Sequence, residues 1–365
     1  MNNLSDYTLE CLKINFFDNF LYRMSNEYIL GGSKGEQSYD EKNYESGIIR
    51  VPIKSGYSYF YVKNKQLISK IDRERINSLK LPPAWNNVWI SGKKYSDIQA
   101  VGVDSKGRKQ YKYNDKHSID AEKKKFLRLY NFIKFIPKLD KILQKHYKLH
   151  IYNKNRVIAT MLYLVKELHF RVGKEQYAKE NKSYGISSLK KTHIKIDGDL
   201  IQFNFKGKSN QRLHYSIHNN IVKNHLQMLL KLDGDKLFQY IDENNKIRRV
   251  TDTDLNKYIQ NYMGSEFTIK DFRTYAANYH FIKALLGEIR KHSNNIKKNI
   301  INAIKTTAKY LKHTQNISKK SYIMSYSIDL YTKNPEFFIS KIYDEPLSIL
   351  LNILKLYKKN ILHVV

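Results

Sequence analysis

Arg171, Lys208, Arg273, His313 and Tyr322 lie far apart in the chain, yet as residue types they form a working set. Two guanidiniums can grip a phosphodiester through paired hydrogen bonds, since their charge is permanent and their donors are planar. A histidine can donate to a non-bridging oxygen as negative charge builds there. A lysine can protonate a departing oxygen, and a phenol can attack phosphorus and later leave again. The chemistry open to such a set is strand cleavage by transfer of a phosphate to the tyrosine, then resealing, with organic cations standing where a metal would. Residue type alone is weak: there are 29 tyrosines, and Arg273 could instead pair with an acid such as Asp271. What distinguishes the five is the sequence around them.

Those side chains need elements to carry them. In IKDFRTYAANY (269–279), Phe272, Ala276 and Tyr279 share a helical face, so Arg273 is expected on a helix. His313 precedes Tyr322 by nine residues, with a polar turn expected between them. Lys208 falls in the turn of a hairpin formed by LIQFNF and RLHYSI, with HIKI as the third strand and turns at Asp197–Asp199 and Gly207–Asn210. Arg171 is expected at the end of the helix in VKELHFRVG. Helical periodicity marks DAEKKKFLRLYNFIKFI and NKNRVIATMLYLVKELHF, and it dominates again from Asn219 to the end.

Upstream the pattern is different. From Gly47, short alternating runs such as GYSYFYVKN, the prolines of LPPAWNNVWI, and the DIQAVGV and RKQYKY pair around DSKG read as antiparallel strands with one helix, IDRERINSLKL. The expected organisation is an extension over 1–46, apolar and amphipathic near Leu9–Ile29 and then connector-like. A β-rich domain follows over 47–118, and a mainly helical domain with a small inserted sheet over 119–365, joined near Ser118–Asp120. The fold class is α+β.

Lys and Arg outnumber Asp and Glu by 65 to 34, a net charge of +31. Such a field draws polyanions, and double-stranded DNA is the expected partner. No apolar run reaches bilayer length, so no membrane role is expected. The first residues lack a secretory signal, so the protein is expected not to be secreted and to work in cytoplasm, nucleus or virion. Cys11 is the only cysteine, which excludes intrachain disulfides and thiolate metal clusters. No GxxxxGK[ST] loop is present, so ATP is not expected. Neither a metal nor a cofactor is expected.

FTIKDFRTYAANY and YLKHTQNISKKSY closely resemble segments of type IB DNA topoisomerases of the poxvirus and bacterial-like branch, which carry K-D-hydrophobic-R-T-Y and H-T-x-x-I-S-K-x-x-Y. VGVDSKGRKQYKY, PPAWNNVWI, FRVGKEQYAKENKSYGISSLKKTHIKI and FNFKGKSNQRLHY resemble further family segments, in order, over about 47–345; residues 1–46 match none. The mixed character hints at a large DNA virus as the source. The resemblance implies that Arg171 and Arg273 bind the scissile phosphate and that His313 contacts it. It further implies that Lys208, rather than the neighbouring Lys206, protonates the leaving 5′-oxygen and that Tyr322 becomes linked to the 3′-phosphate. It implies relaxation of positive and negative supercoils, without ATP or divalent metal, by a monomer closing as a clamp around DNA. It also implies DNA contacts by Arg108, Gln110, Tyr111 and Tyr113 in the β domain, by Lys174 and Tyr177 on a short helix, and by Lys270 and Asn278 near the second arginine. Glu175 and Gln176 depart from the expected contact residues, so no target sequence carries over. Tyrosine site-specific recombinases, which share this chemistry, are the alternative. Lys270 stands where they usually have a histidine, and their N-terminal domain is usually helical.

Overall fold

The computed structural model describes residues 45–292 and 295–362. The expected amphipathic piece and connector before residue 45 lie outside the described residues. The chain divides into two compact units at Lys123/Lys124.

In the first unit a five-stranded antiparallel sheet has the order β2-β1-β3-β4-β5. Its strands are β1 (Ile48–Ile53), β2 (Gly56–Tyr61), β3 (Asn86–Ile90), β4 (Ile98–Val103) and β5 (Lys109–Tyr113). Alternation sends neighbouring residues to opposite faces. Ile49, Phe60, Trp89 and Val101 gather on one face. Ile48, Val88, Ile90 and Ala100 gather on the other with Ile76 of helix α1 (Lys70–Ser78). The β4–β5 turn is built by Asp104, whose carboxylate accepts from the backbone N–H of Lys106 at 2.9 Å and of Arg108 at 3.0 Å.

Helix α2 (Asp115–His146) runs without interruption through Ser118–Asp120, where a linker was expected. Asn114 starts it by accepting from the Lys116 N–H at 2.9 Å, and the Ala, Glu and Lys run that follows favours helix over irregular chain. Helix α3 (Lys154–Leu168) is buried on most of its faces, from Val157 to Leu162 and again at Leu164 and Val165. After the short α4 (Glu175–Asn181) comes the inserted sheet of β6 (Ile194–Asp197), β7 (Leu200–Lys206) and β8 (Arg212–His218), antiparallel in that order. Ile201, Phe203 and Phe205 point into the core while Gln202 and Asn204 face out.

Helix α5 (Asn220–Leu230) begins the last stretch, in which helix dominates as expected, with one exception. A small hairpin of β9 (Gln239–Ile241) and β10 (Ile247–Arg249) intervenes. Asp242 makes its turn, accepting from the N–H groups of Asn244 and Lys246, with Asn245 at φ 56°. The QYIDENNKIRR pattern carries that turn signal, the same device as at Asp104. Helices α6 (Asp252–Met263), α7 (Lys270–His292), α8 (Ile296–Tyr310), α9 (Gln315–Ser321), α10 (Ser325–Lys333), α11 (Glu336–Ile339) and α12 (Pro346–Leu362) complete the unit. The fold is α+β: an antiparallel N-terminal sheet, then a mainly helical region with an inserted sheet. No helix among the described residues is long and apolar enough to cross a membrane.

Candidate active site

Arg171 does not sit on a helix. Helix α3 ends at Leu168, and His169, with φ 55°, turns the chain away. Phe170 then plugs into the inserted sheet, edge-on to Phe203 at 5.2 Å and Tyr215 at 4.4 Å. The Arg171 carbonyl accepts from the Ile186 N–H at 2.8 Å. Gly173, at φ +77°, passes so close to Gly185 that a Cβ on Gly185 would lie 2.6 Å from the Arg171 carbonyl oxygen. Between the aromatic plug and this glycine crossing, the Arg171 backbone has one place to be. Its guanidinium makes only a 3.4 Å contact to the Lys312 carbonyl, and its Nη1 is buried without a hydrogen-bond partner.

Arg273 projects from the first turn of α7 and is 4% exposed. It donates to the carbonyls of His169 and Leu311, the latter at 2.7 Å, and to His313 Nε2, while its Nε is buried and unpartnered. The acid that could have neutralised it is committed elsewhere. Asp271 pairs with Arg128 at 2.7 Å and accepts from the Thr268 N–H at 2.8 Å. Burial and the charge of Arg171 push the Arg273 pKa down, and Tyr322 and Tyr215 oppose that shift. Two cations lie close together with carbonyls and, among the described residues, no paired carboxylate, an arrangement that costs free energy until an anion enters.

Helix α8 ends at Tyr310, and the reversal through Leu311 and Lys312 (φ 51°) presents His313. The segment to Tyr322 is a helix and not the turn expected: Thr314 caps α9, and Tyr322 is its C-terminal cap. The His313 and Tyr322 rings lie 4.5 Å apart between centroids, and the Arg273 Cζ is 5.9 Å from the Tyr322 ring. Ala276, Ala277 and Leu311 form the floor beneath the phenol. Burial first, then the charges of Arg273, Arg171 and Lys208, bring the His313 pKa down to about 3. It is a neutral ring that accepts from Arg273 on Nε2, with Ser318 Oγ 3.5 Å from Nδ1. Lys208 stands exposed on the β7–β8 turn, between Gly207 and two residues of positive φ, and its charge reaches His313. The fold thus gathers all five residues, with Lys208 on the outer, exposed edge.

The expected DNA contacts divide. Lys174 caps α4 and is exposed, Tyr177 is 45% exposed, and Lys270 is exposed at the start of α7. In the first unit, Tyr111 and Tyr113 stack at 6.1 Å, whereas Arg108 and Gln110 both donate to Asp104, at 2.8 and 3.0 Å. Asn278 does not reach a surface at all. It is 1% exposed and donates to the carbonyls of Thr274 at 2.8 Å and Tyr322 at 3.0 Å, while accepting from the Met324 N–H at 2.8 Å. An amide with those commitments splints the Tyr322 segment to α7, so its expected place among the DNA contacts is corrected. Glu175 is turned inward too, against Lys236 at 2.8 Å and Arg249 at 2.6 Å. Sequence reasoning missed the carbonyls of His169, Leu311 and Lys312 that aim the arginines, because a backbone acceptor leaves no signature in residue type.

The chain that carries this fold and basic site matches family models of DNA topoisomerases. The model described as eukaryotic DNA topoisomerase I, catalytic core, matches residues 106–336, and bacterial DNA topoisomerase IB, N-terminal domain, matches residues 56–104. The chain belongs to the type IB DNA topoisomerase family and is an isomerase. It is 56% identical to DNA topoisomerase 1B of Acanthamoeba polyphaga mimivirus over 333 residues, 89% of this chain and 99% of that one. DNA topoisomerase 1B of Vaccinia virus (strain Copenhagen) is 31% identical over 265 residues, 70% of this chain and 80% of that one. The solved XerH recombinase–difH complex overlays with a TM-score of 0.31 at 14% identity, over 51% of this chain and 48% of that one, too loose to weigh on either side.

Proposed function

We propose that this chain relaxes positively and negatively supercoiled DNA, one chain on one duplex, by cutting a single strand through a 3′-phosphotyrosine and resealing it. The observation that supports this most is the pair Arg171 and Arg273, close together with no carboxylate partner among the described residues, each with a buried donor unused and the Tyr322 phenol beside them. A scissile phosphate would take those donors. Tyr322 Oη attacks phosphorus, the bond to the 5′-oxygen breaks opposite it, and Lys208 delivers a proton to that oxygen while the phenolic proton passes to water. Charge builds on the equatorial oxygens, so fixed cations stabilise the transition state more than the ground state. His313 joins by a tautomer change: once the phosphate draws the Arg273 guanidinium off Nε2, and with Ser318 donating to Nδ1, Nε2–H can donate to the phosphate. The phosphotyrosine conserves the bond, so resealing by the reverse path needs no ATP.

The test is supercoiled plasmid incubated in EDTA without ATP. Ladders of relaxed topoisomers are expected, without paired recognition sites or strand exchange, which separates this reading from recombination. Tyr322→Phe is expected to bind DNA but neither relax it nor form a covalent adduct. Relaxation by that variant at the parental rate would remove Tyr322 as nucleophile.

A further inference from the structure

Three carbonyls aim the two arginines: His169 and Leu311 for Arg273, and Lys312 for Arg171. Behind them stands a side chain that the chemistry above does not use. His280 lies two turns after Arg273 on α7, on the same side of that helix. Its Nε2 is 2.9 Å from Nε2 of His169, and its ring lies flat on Tyr310, 4.3 Å between centroids at 11°. Tyr310 is the residue immediately before Leu311 and Lys312. One imidazole therefore touches both segments that supply the acceptors. A cavity of about 630 Å³ opens beside the pair, lined also by Lys166, Glu167 and Lys312.

The contact between the rings requires that one donate and the other accept, so it needs at least one neutral ring and is lost only when both are doubly protonated. The surroundings favour neutral rings. Burial, then the charges of His280 and Arg273, bring His169 down to about 4, and burial with Lys283 brings His280 down to about 4. Other charged groups face the pair from α2 (Asp140, itself bonded to Lys166), from α3 (Lys166, Glu167) and from Lys312.

We propose that His280 is a positioning residue, whose hydrogen bond to His169 and stacking on Tyr310 hold the carbonyls that aim Arg171 and Arg273 at the phosphate. The proposal rests on the reading of those arginines as phosphate ligands. It is tested with the full chain carrying His280→Ala, His280→Phe or His280→Gln, each assayed for plasmid relaxation, covalent adduct formation, DNA affinity and melting temperature. Phe keeps the stacking without the bond, and Gln sets an amide donor near the Nε2 position. Ala and Phe are expected to slow adduct formation by about five- to tenfold, the rate equivalent of one neutral hydrogen bond, with DNA affinity changed less than about twofold. Gln is expected to recover most of the rate, because its amide can restore the hydrogen bond to His169. Parental rates for Ala and Phe, or a Gln variant as slow as Ala, would overturn the proposal. A parent that forms no adduct in EDTA would instead reject the underlying reading, and that control is run alongside.

Discussion

Replacing Asn278 by Ala separates two roles that the sequence left together. The Asn278 amide is 1% exposed and satisfies the Met324 N–H and the Tyr322 carbonyl, on either side of Ile323. Its removal leaves a buried donor and a buried acceptor without partners, at about 1–3 kcal/mol for each group left unsatisfied. The Thr274 carbonyl, a third partner, lies within α7 and has the helix's own bonding, so it adds little. Some relaxation of the segment recovers part of the loss, and a net destabilisation of about 2–4 kcal/mol follows. In a domain of this size that is roughly 5–12 °C in melting temperature. The same change frees the Tyr322 backbone relative to the arginines, so adduct formation slows while DNA affinity holds. Urea denaturation and melting measure the first effect, and adduct formation under single-turnover conditions measures the second. An Asn278→Ala protein with parental stability but weakened DNA binding would refute the splint and restore Asn278 as a DNA contact.

Three further outcomes follow from the geometry. Gly185→Ala would set a Cβ 2.6 Å from both the Arg171 carbonyl oxygen and the Gly173 nitrogen, all backbone; the Arg171 segment must shift, costing about 1–3 kcal/mol, and both stability and adduct formation are expected to fall. Arg273→Lys keeps the charge but cannot serve two carbonyls and a phosphate with one ammonium, so cleavage is expected to drop by roughly 10²–10³; a loss smaller than about tenfold would count against Arg273 as a phosphate ligand. Stability is expected to decline in mild acid. His169, His225 and His280 have folded pKa values lowered to about 4 and His313 to about 3, below the ordinary 6.5, chiefly through burial. The unfolded chain therefore takes up protons as pH falls below 6.5 while the folded chain does not, and stability present above 6.5 is lost toward pH 4. The loss between pH 7 and pH 5.5 is on the order of 1 kcal/mol from each of His169 and His225, and less from the less deeply buried pair, measurable by urea denaturation at the two values.

Much of this protein can be read directly from its residue order. Period-two alternation in LIQFNF and RLHYSI placed Lys208 on a hairpin turn, and the helical spacing around Phe272 and Ala276 placed Arg273 on a helix with an inward side. Both signals are local, and local signals survive in sequence. The family also was legible, because its segments are contiguous words. Departures arose where one local signal outweighed another, and where a neighbour distant in sequence decides. Asn114 and a helix-forming run turned an expected linker into helix, and Asp242 closed a hairpin inside a stretch expected to be mainly helical. Asn278 was expected to meet DNA until the Tyr322 and Met324 backbone claimed its amide. The tertiary structure alone decided that Asp271 would serve Arg128 and leave Arg273 without an acid, and that carbonyls from two chain reversals would aim the arginines. A side chain's type states which bonds it can make, but its actual partners depend on which distant segments the packed core brings within three ångströms, and a backbone carbonyl is the same in every residue.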